Sequence, residues 1–286
     1  MRFDSALGLE SRRGVGATTA KVAVYAVMVL VFTGPLLGLL ISAFSKTLDP
    51  TAFSLWPEEL TLQNFVQAGE KNVYLYLLNS FAVVGFGLLL QMIVSVFAAY
   101  SLARKKFRGM SVVLLLILTT MMLPEEVIAI PLSIVLADLP LIHTNLIGTY
   151  AGMILPVGAW GFSILVMTEF MKDVPVELEE AARIDGAGEL RTFFTIILPL
   201  CRPALGVIGV FGFTMIWDQY LLPLIVATES SQWTLPIALR SLRSDEEVGI
   251  GVLLAASLLA LLPSIIAFLA FQRQFMRGLT SGAIKG

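Results

Sequence analysis

Long uncharged apolar runs alternate along this chain with short clusters of charge. Uninterrupted runs cover residues 22–44, 73–103, 139–168 and 248–272. Each meets or exceeds the ~20 residues that a helix needs to cross ~30 Å of hydrocarbon, so each predicts a membrane span. Two further runs carry acids: 110–137 contains Glu125 and Glu126, and 203–228 contains Asp218. The apolar flanks on both sides of these acids are long, so both runs also read as spans. The pattern predicts an all-α membrane protein with six transmembrane helices, at about 22–44, 77–103, 110–137, 145–170, 203–228 and 248–273.

Composition agrees with the pattern. A chain of 286 residues that is 57% hydrophobic and 14% charged, with mean hydropathy +0.86, cannot cover itself with a solvated surface. Its net charge of −2 says little, but the placement of the cations says more. With a cytoplasmic N-terminus, fifteen of the nineteen Lys and Arg fall in inner segments, and only Lys46, Lys71, Arg240 and Arg243 fall outside. That asymmetry predicts both termini in the cytoplasm. One cysteine, Cys201, excludes an internal disulfide, and one histidine, His143, excludes a histidine-cluster metal site. The first run is too long for a signal-peptide core and has no small-residue cleavage pattern, so it reads as an uncleaved span.

Around the spans, residues 1–21 form a short polar cytoplasmic segment, and 277–286 form a cytoplasmic tail. The outer loop over 45–72 contains Trp56 and Pro57, and a second outer loop covers 229–247. The inner link 104–109 is so short that the helices on either side must be antiparallel neighbours. Residues 22–276 make one six-span membrane domain, with no internal repeat or soluble domain.

Between the fourth and fifth spans lies a charged insert, 173–202, that is too polar to enter the bilayer. Asp173 is placed to cap a helix whose first turn accepts Pro175 and favours Glu177. Leu178, Ala181, Ala182 and Ile184 alternate with charged residues until Gly186, which suits a left-handed stop. A second helical piece carries Leu190, Phe193, Phe194 and Ile197 on an apolar face up to Pro199, and Pro203 opens the next span. These features predict an elbow below the membrane, with a small-residue surface at Ala181 and Ala182. An amphipathic loop resting its aromatics on lipid headgroups fits the same physics equally well.

Spacing separates the two readings. Glu180-Ala181-Ala182, three residues, Gly186, nine residues and Ile196-Ile197-Leu198-Pro199 match the E-A-A-x3-G-x9-I-x-L-P signature, and the chain thereby resembles the permease subunits of ABC importers. The stretch 98–109, Asp185-Gly186-Ala187 and the ending 272–286 are similar to the maltose-type carbohydrate permeases. The resemblance implies the six-helix type I importer permease fold in a bacterial inner membrane. It also implies a second permease chain, two cytoplasmic ATP-binding subunits and an extracytoplasmic solute-binding protein. ATP and Mg would sit on the ATPase partners, with no cofactor, metal, nucleic acid or chemistry on this chain. By the same resemblance Glu180, Ala181, Ala182, Arg183, Asp185, Gly186, Leu198 and Pro199 form the ATPase-coupling element. Glu180 would be its polar anchor, and Ala181 and Ala182 its close-approach surface.

The acids inside the spans are the remaining candidates, because ionisable groups at bilayer depth face a bundle interior or water. A rise of ~1.5 Å per residue from Arg108 and Arg202 puts Glu125 and Asp218 at similar heights, ~24–26 Å up. Sugars stack on aromatic rings and hydrogen-bond to polar side chains, so Trp217, Asp218, Gln219 and Tyr220 are candidates to line a path. Packing at a subunit interface would explain them equally. Glu125 and Glu126 lean towards a structural or gating role, because Pro124 and Pro131 suggest a bend. Gln91 and Asn79 are weaker candidates, since polar residues also join helices. Other classes fare worse. A proton-coupled secondary transporter using Glu125, Glu126 and Asp218 should show inverted repeats. A membrane enzyme should show a nucleophile beside a base, metal-ligand spacing or a phosphate loop.

Overall fold

A computed structural model of the chain describes residues 15–46, 59–140, 142–245 and 247–283. The N-terminal segment up to residue 14, Trp56-Pro57 in the first outer loop, and residues 284–286 of the tail lie outside the described residues. The described chain is helical, apart from isolated antiparallel bridges at Ser45–Leu60 and Leu139–Thr144. The helices are α1 (Val15–Ala43), α2 (Gln63–Glu70), α3 (Val73–Arg104), α4 (Met110–Met122), α5 (Glu125–Ala137), α6 (Tyr150–Ile154) and α7 (Gly161–Asp173). They continue with α8 (Glu177–Ile184), α9 (Glu189–Thr192), α10 (Leu198–Leu200), α11 (Arg202–Trp217), α12 (Leu221–Val226), α13 (Leu235–Ser244) and α14 (Ile250–Ala283).

Among the described residues, four stretches are long and apolar enough to cross a membrane: Thr18–Ala43, Val73–Arg104, Tyr150–Asp173 and Ile250–Ala270. Two bent helix pairs would raise the number to six. In the first pair α4 and α5 meet at 112°, so the expected run 110–137 is not one straight helix. Pro124 disfavours helical backbone at the residue before it, and Leu123 is extended (ψ 126°). The new helix then starts with Glu125 and Glu126 in its first turn, where unpaired N–H groups and the dipole favour negative charge. The second pair joins Glu189–Leu200 to Arg202–Trp217 at 68°. The run expected at 203–228 is itself interrupted, because α11 stops at Trp217 and α12 starts at Leu221.

The described chain divides into two compact units. The smaller comprises residues up to Lys71 together with Asp245–Leu258. Its core gathers Ala43, Ala255 and Leu258 against Leu39, Phe44 and Phe65. Asn64 Nδ2 donates to the carbonyls of Ala43 (3.0 Å) and Ser45 (2.9 Å), pairing carbonyls that the end of α1 leaves open. Much of α1 stays outward-facing, with Leu30 73% and Phe32 71% exposed. Such a surface is stable only against lipid or another apolar face.

In the larger unit α3 is the central pillar, packed against α7, α11 and the 3-10 turn Pro156–Ala159. The crossing of α3 and α11 is close enough that a side chain at Gly212 would strike Gln91 and Leu88. One apolar core runs from Val96 and Ala99 of α3 through Met167 and Met171 of α7 to Phe193, Ile197, Cys201 and Ile208. The insert is therefore anchored in the same core as the long helices.

Two segments outside the expected spans are also helical. The segment expected as the second outer loop contains a helix, α13, with Leu235, Ile237, Ala238 and Leu242 buried. The last helix continues as far as Ala283, well into the expected tail.

Candidate functional site

The elbow is built by local backbone chemistry. Val174, Pro175 and Val176 separate α7 from α8, with Asp173 the last residue of the former and Val176 in the cap position of the latter. That corrects the expected N-cap, because Pro175 holds its predecessor extended and delays the helix by a turn. Gly186 takes φ +78°, Gly186 N–H donates to Arg183 O (3.0 Å), and Ala187 N–H reaches back to Ala182 O (2.9 Å). This left-handed closure favours glycine. The eight residues of α8 span ~12 Å.

The second elbow piece departs from a simple helix. Residues Phe193–Ile197 form a π-helical turn before Leu198–Leu200. Pro199 lacks an N–H, and the wider turn just before it accommodates the missing α-helical bond. Pro199 therefore reshapes the piece without stopping it. The expected apolar face also splits. Phe193 and Ile197 are buried, whereas Leu190 is 69% and Phe194 50% exposed.

The residues expected to form the coupling element divide in the same way. Glu180, Ala181, Arg183, Asp185 and Gly186 are exposed. Ile184 beside them is 87% exposed. Ala182 is buried by its own chain, so it lets the elbow pack on its own helices and corrects the idea of an Ala181–Ala182 outer surface. Leu198 and Pro199 are half-buried at the root.

Residues outside the motif hold the elbow in place. Arg104 at the end of α3 donates through Nη2 to Val174 O (2.7 Å), and its Nε pairs with Glu179 Oε1. Lys105 pairs with Glu189, which also accepts from the Tyr100 hydroxyl (3.1 Å). The Lys105 ammonium, then the Tyr100 hydroxyl, hold the Glu189 carboxyl below its usual range. Sequence reading placed Arg104 only among the inner cations and Glu179 among the interleaved charges. An ion pair between distant segments leaves no periodic trace in a single sequence.

The acids expected to share a path separate into two environments. Glu125, Glu126 and Gln219 line a cleft of about 690 Å³ with Thr120, Trp160 and Met215. The helix bend at Leu123–Pro124 forms one wall of it, and Lys and Arg are absent from the lining. Trp217, Asp218 and Tyr220 are not part of that lining. Trp217 is buried, stacks on Phe213 (5.4 Å, 12°) and donates Nε1–H to Ala260 O (3.1 Å), which is a packing role. Arg240 lies over the Tyr220 ring, 5.6 Å from its centre. The aromatic ring that does face the cleft is Trp160, a residue the sequence did not single out.

The two weaker candidates act as joints between helices. Asn79 donates to Ser231 O (2.8 Å) and Trp233 O (2.9 Å) and accepts from the Tyr150 hydroxyl (2.8 Å). Gln91 is fully buried and donates to Val157 O (3.4 Å), one turn from Ser95, whose hydroxyl lies 2.7 Å from that of Ser163.

With this geometry in hand, comparison with known proteins gives consistent matches. Residues 91–280 match the family described as binding-protein-dependent transport system inner membrane component. The chain is 31% identical over 281 residues to the diacetylchitobiose uptake system permease protein of Streptomyces coelicolor, covering 96% of this chain and 90% of that one. It is 32% identical over 268 residues to the arabinooligosaccharides transport system permease protein of Halalkalibacterium halodurans, covering 92% and 94%. Among solved structures, a chain of a bacterial ABC transporter that imports the acidic polysaccharide alginate superposes with TM-score 0.79, at 20% identity and over 96% of this chain and 98% of that one.

Proposed function

Because the chain belongs to the family of binding-protein-dependent transport system inner membrane components, we propose that it forms, with a second permease chain, the membrane path of an ATP-driven carbohydrate importer. The observation that carries this reading is the elbow. It is a short helix rooted in the core, closed by Gly186, and holding Glu180, Ala181 and Ile184 outward. An exposed apolar and charged face on a rigid mount suits a protein groove.

In this account the elbow lies on the cytoplasmic side with both termini, and residues 22–276 act as one six-span permease domain. A cytoplasmic ATPase subunit takes the face of Glu180, Ala181, Arg183 and Asp185, and binds the ATP and Mg. Closure of the ATPase pair moves the elbows and turns the path outward, where a solute-binding protein delivers its cargo. The cleft of Glu125, Glu126, Gln219 and Trp160 belongs to that path. Its volume falls within the ~300–1,000 Å³ usual for small-ligand pockets. The substrate class, a glycan or related solute, rests on the sugars named for the relatives.

The experiment is to tag the chain, extract native membranes in mild detergent and identify the partners in stoichiometric yield. The proposal expects an ATPase with a phosphate-binding Walker sequence and a second permease. Recovery of the chain alone, or as a homo-oligomer that transports on a proton gradient, would overturn it and return the mechanism to the acids.

A further inference from the structure

Among the described residues, one ion pair is buried on both sides: Arg104 and Glu179, with side chains 8% and 7% exposed. We propose that this pair is a positioning strut which carries the elbow's movement into α3. The inference rests on the coupling function proposed above.

The geometry ties three helix ends through one guanidinium. Arg104 ends α3, its Nη2 holds the Val174 carbonyl just beyond α7, and its Nε meets Glu179 in the first turn of α8. A single contact between elbow and helix would act as a pivot. Here there are two, because Glu189 at the start of α9 meets Lys105 and Tyr100 on the same end of α3. The two contacts differ in kind. Separating the buried pair leaves a charge without compensation in a poorly solvated site, so it resists opening. The Lys105–Glu189 pair is exposed on both sides and is weakened by salt and competing water. Between them Phe193 packs edge-on against Tyr100 (4.8 Å) and stacks on Phe97 (5.7 Å), so little soft material remains to absorb a displacement. The mechanical connection therefore runs through Arg104–Glu179, with Glu189 steadying it. Lysine is a poor substitute at 104, because a compact ammonium cannot both bond the Val174 carbonyl, as Nη2 does, and keep its charge against Glu179, where Nε and Oε1 form an ion pair with no hydrogen bond between them.

The test uses the purified complete complex in nanodiscs and needs no knowledge of the cargo. In a Cys201→Ser background, Leu78→Cys near the far end of α3 carries an environment-sensitive fluorophore; Leu78 is 65% exposed. ATP with orthovanadate then traps the closed ATPase. The complex with native Arg104 should show an emission change on trapping. In Arg104→Lys that change should fall by about fivefold or more, the scale of a lost coupling free energy, while ATP hydrolysis stays within about twofold. Glu179→Gln, which keeps the side-chain shape, serves as a second variant if Arg104→Lys does not assemble, and should behave in the same way. Glu189→Gln should cause a smaller loss. A full emission change in the strut variants would overturn the proposal. So would a parallel fall of hydrolysis and emission, which marks a merely structural role. If the complex with native Arg104 itself showed no response to ATP, the coupling function would fail before the strut was tested.

Discussion

The elbow and the cleft each concentrate charge within an apolar chain, and they treat it in opposite ways. At the elbow root the charges are partnered across segments far apart in sequence: Arg104 with Glu179, and Lys105 with Glu189. In the cleft Glu125 and Glu126 are exposed, the lining carries no cation, and their charge is accommodated by the start of α5. Partnered charge fixes one piece of backbone to another. Unpartnered charge in a concave site remains available to a solute or to water. On the proposed function, this difference suits the elbow to bear force and the cleft to meet a changing occupant.

Removing the elbow's closure should have the largest effect. Gly186→Pro forces φ from +78° to about −65° and should abolish ATP-dependent uptake while leaving the chain in the membrane, as checked by uptake and by membrane fractionation. Normal uptake would contradict a force-bearing elbow. Next is the helix crossing that supports both regions. Gly212→Val places a side chain into Gln91 and Leu88 and should cost about 1–3 kcal/mol, read as earlier thermal aggregation of the purified complex.

In the cleft, Trp160→Ala should weaken apparent affinity for the transported sugar by about 2- to 12-fold, the value of one aromatic contact. Trp217→Phe keeps the stacking but removes the bond to Ala260 O. It should cost about 1 kcal/mol of stability and leave affinity unchanged. If Trp217 proved the more sensitive for affinity, the path would run on the other side of α11.

The smallest effect concerns pH. The Glu189 carboxyl titrates below its usual range, so the contribution of its pairing is present above the ordinary carboxylate pKa. It is lost as pH falls through the lowered value. Glu189→Gln should therefore flatten a mild acid-side loss of stability and leave the neutral side unchanged.

These two regions were unequally legible in the sequence. The elbow's position, its Gly186 stop and its charged character follow from composition and spacing, because capping and turn chemistry are local. The four long apolar stretches were equally plain. The bend at Leu123–Pro124 was signalled by Pro124 but not its 112° angle, which depends on what α5 packs against. Of the two readings offered for Trp217, path lining or packing, the contacts to Phe213 and Ala260 O favour packing, which residue type at bilayer depth could not decide. Trp160 and the Arg104–Glu179 pair went unnoticed because their significance arises only when separate helices meet. Ala182 shows the same limit within the motif itself, since spacing placed it on the elbow but only packing showed that it faces inward.

The most direct measurement is photo-crosslinking from the elbow's open face, with benzoylphenylalanine in place of Ile184, which is 87% exposed. A matched probe replaces Ile130 on α5, 72% exposed. In native membranes the account predicts an ATPase-sized adduct from position 184 and none from position 130. Adducts to lipid alone from position 184 would contradict it, and would make the elbow an amphipathic surface element.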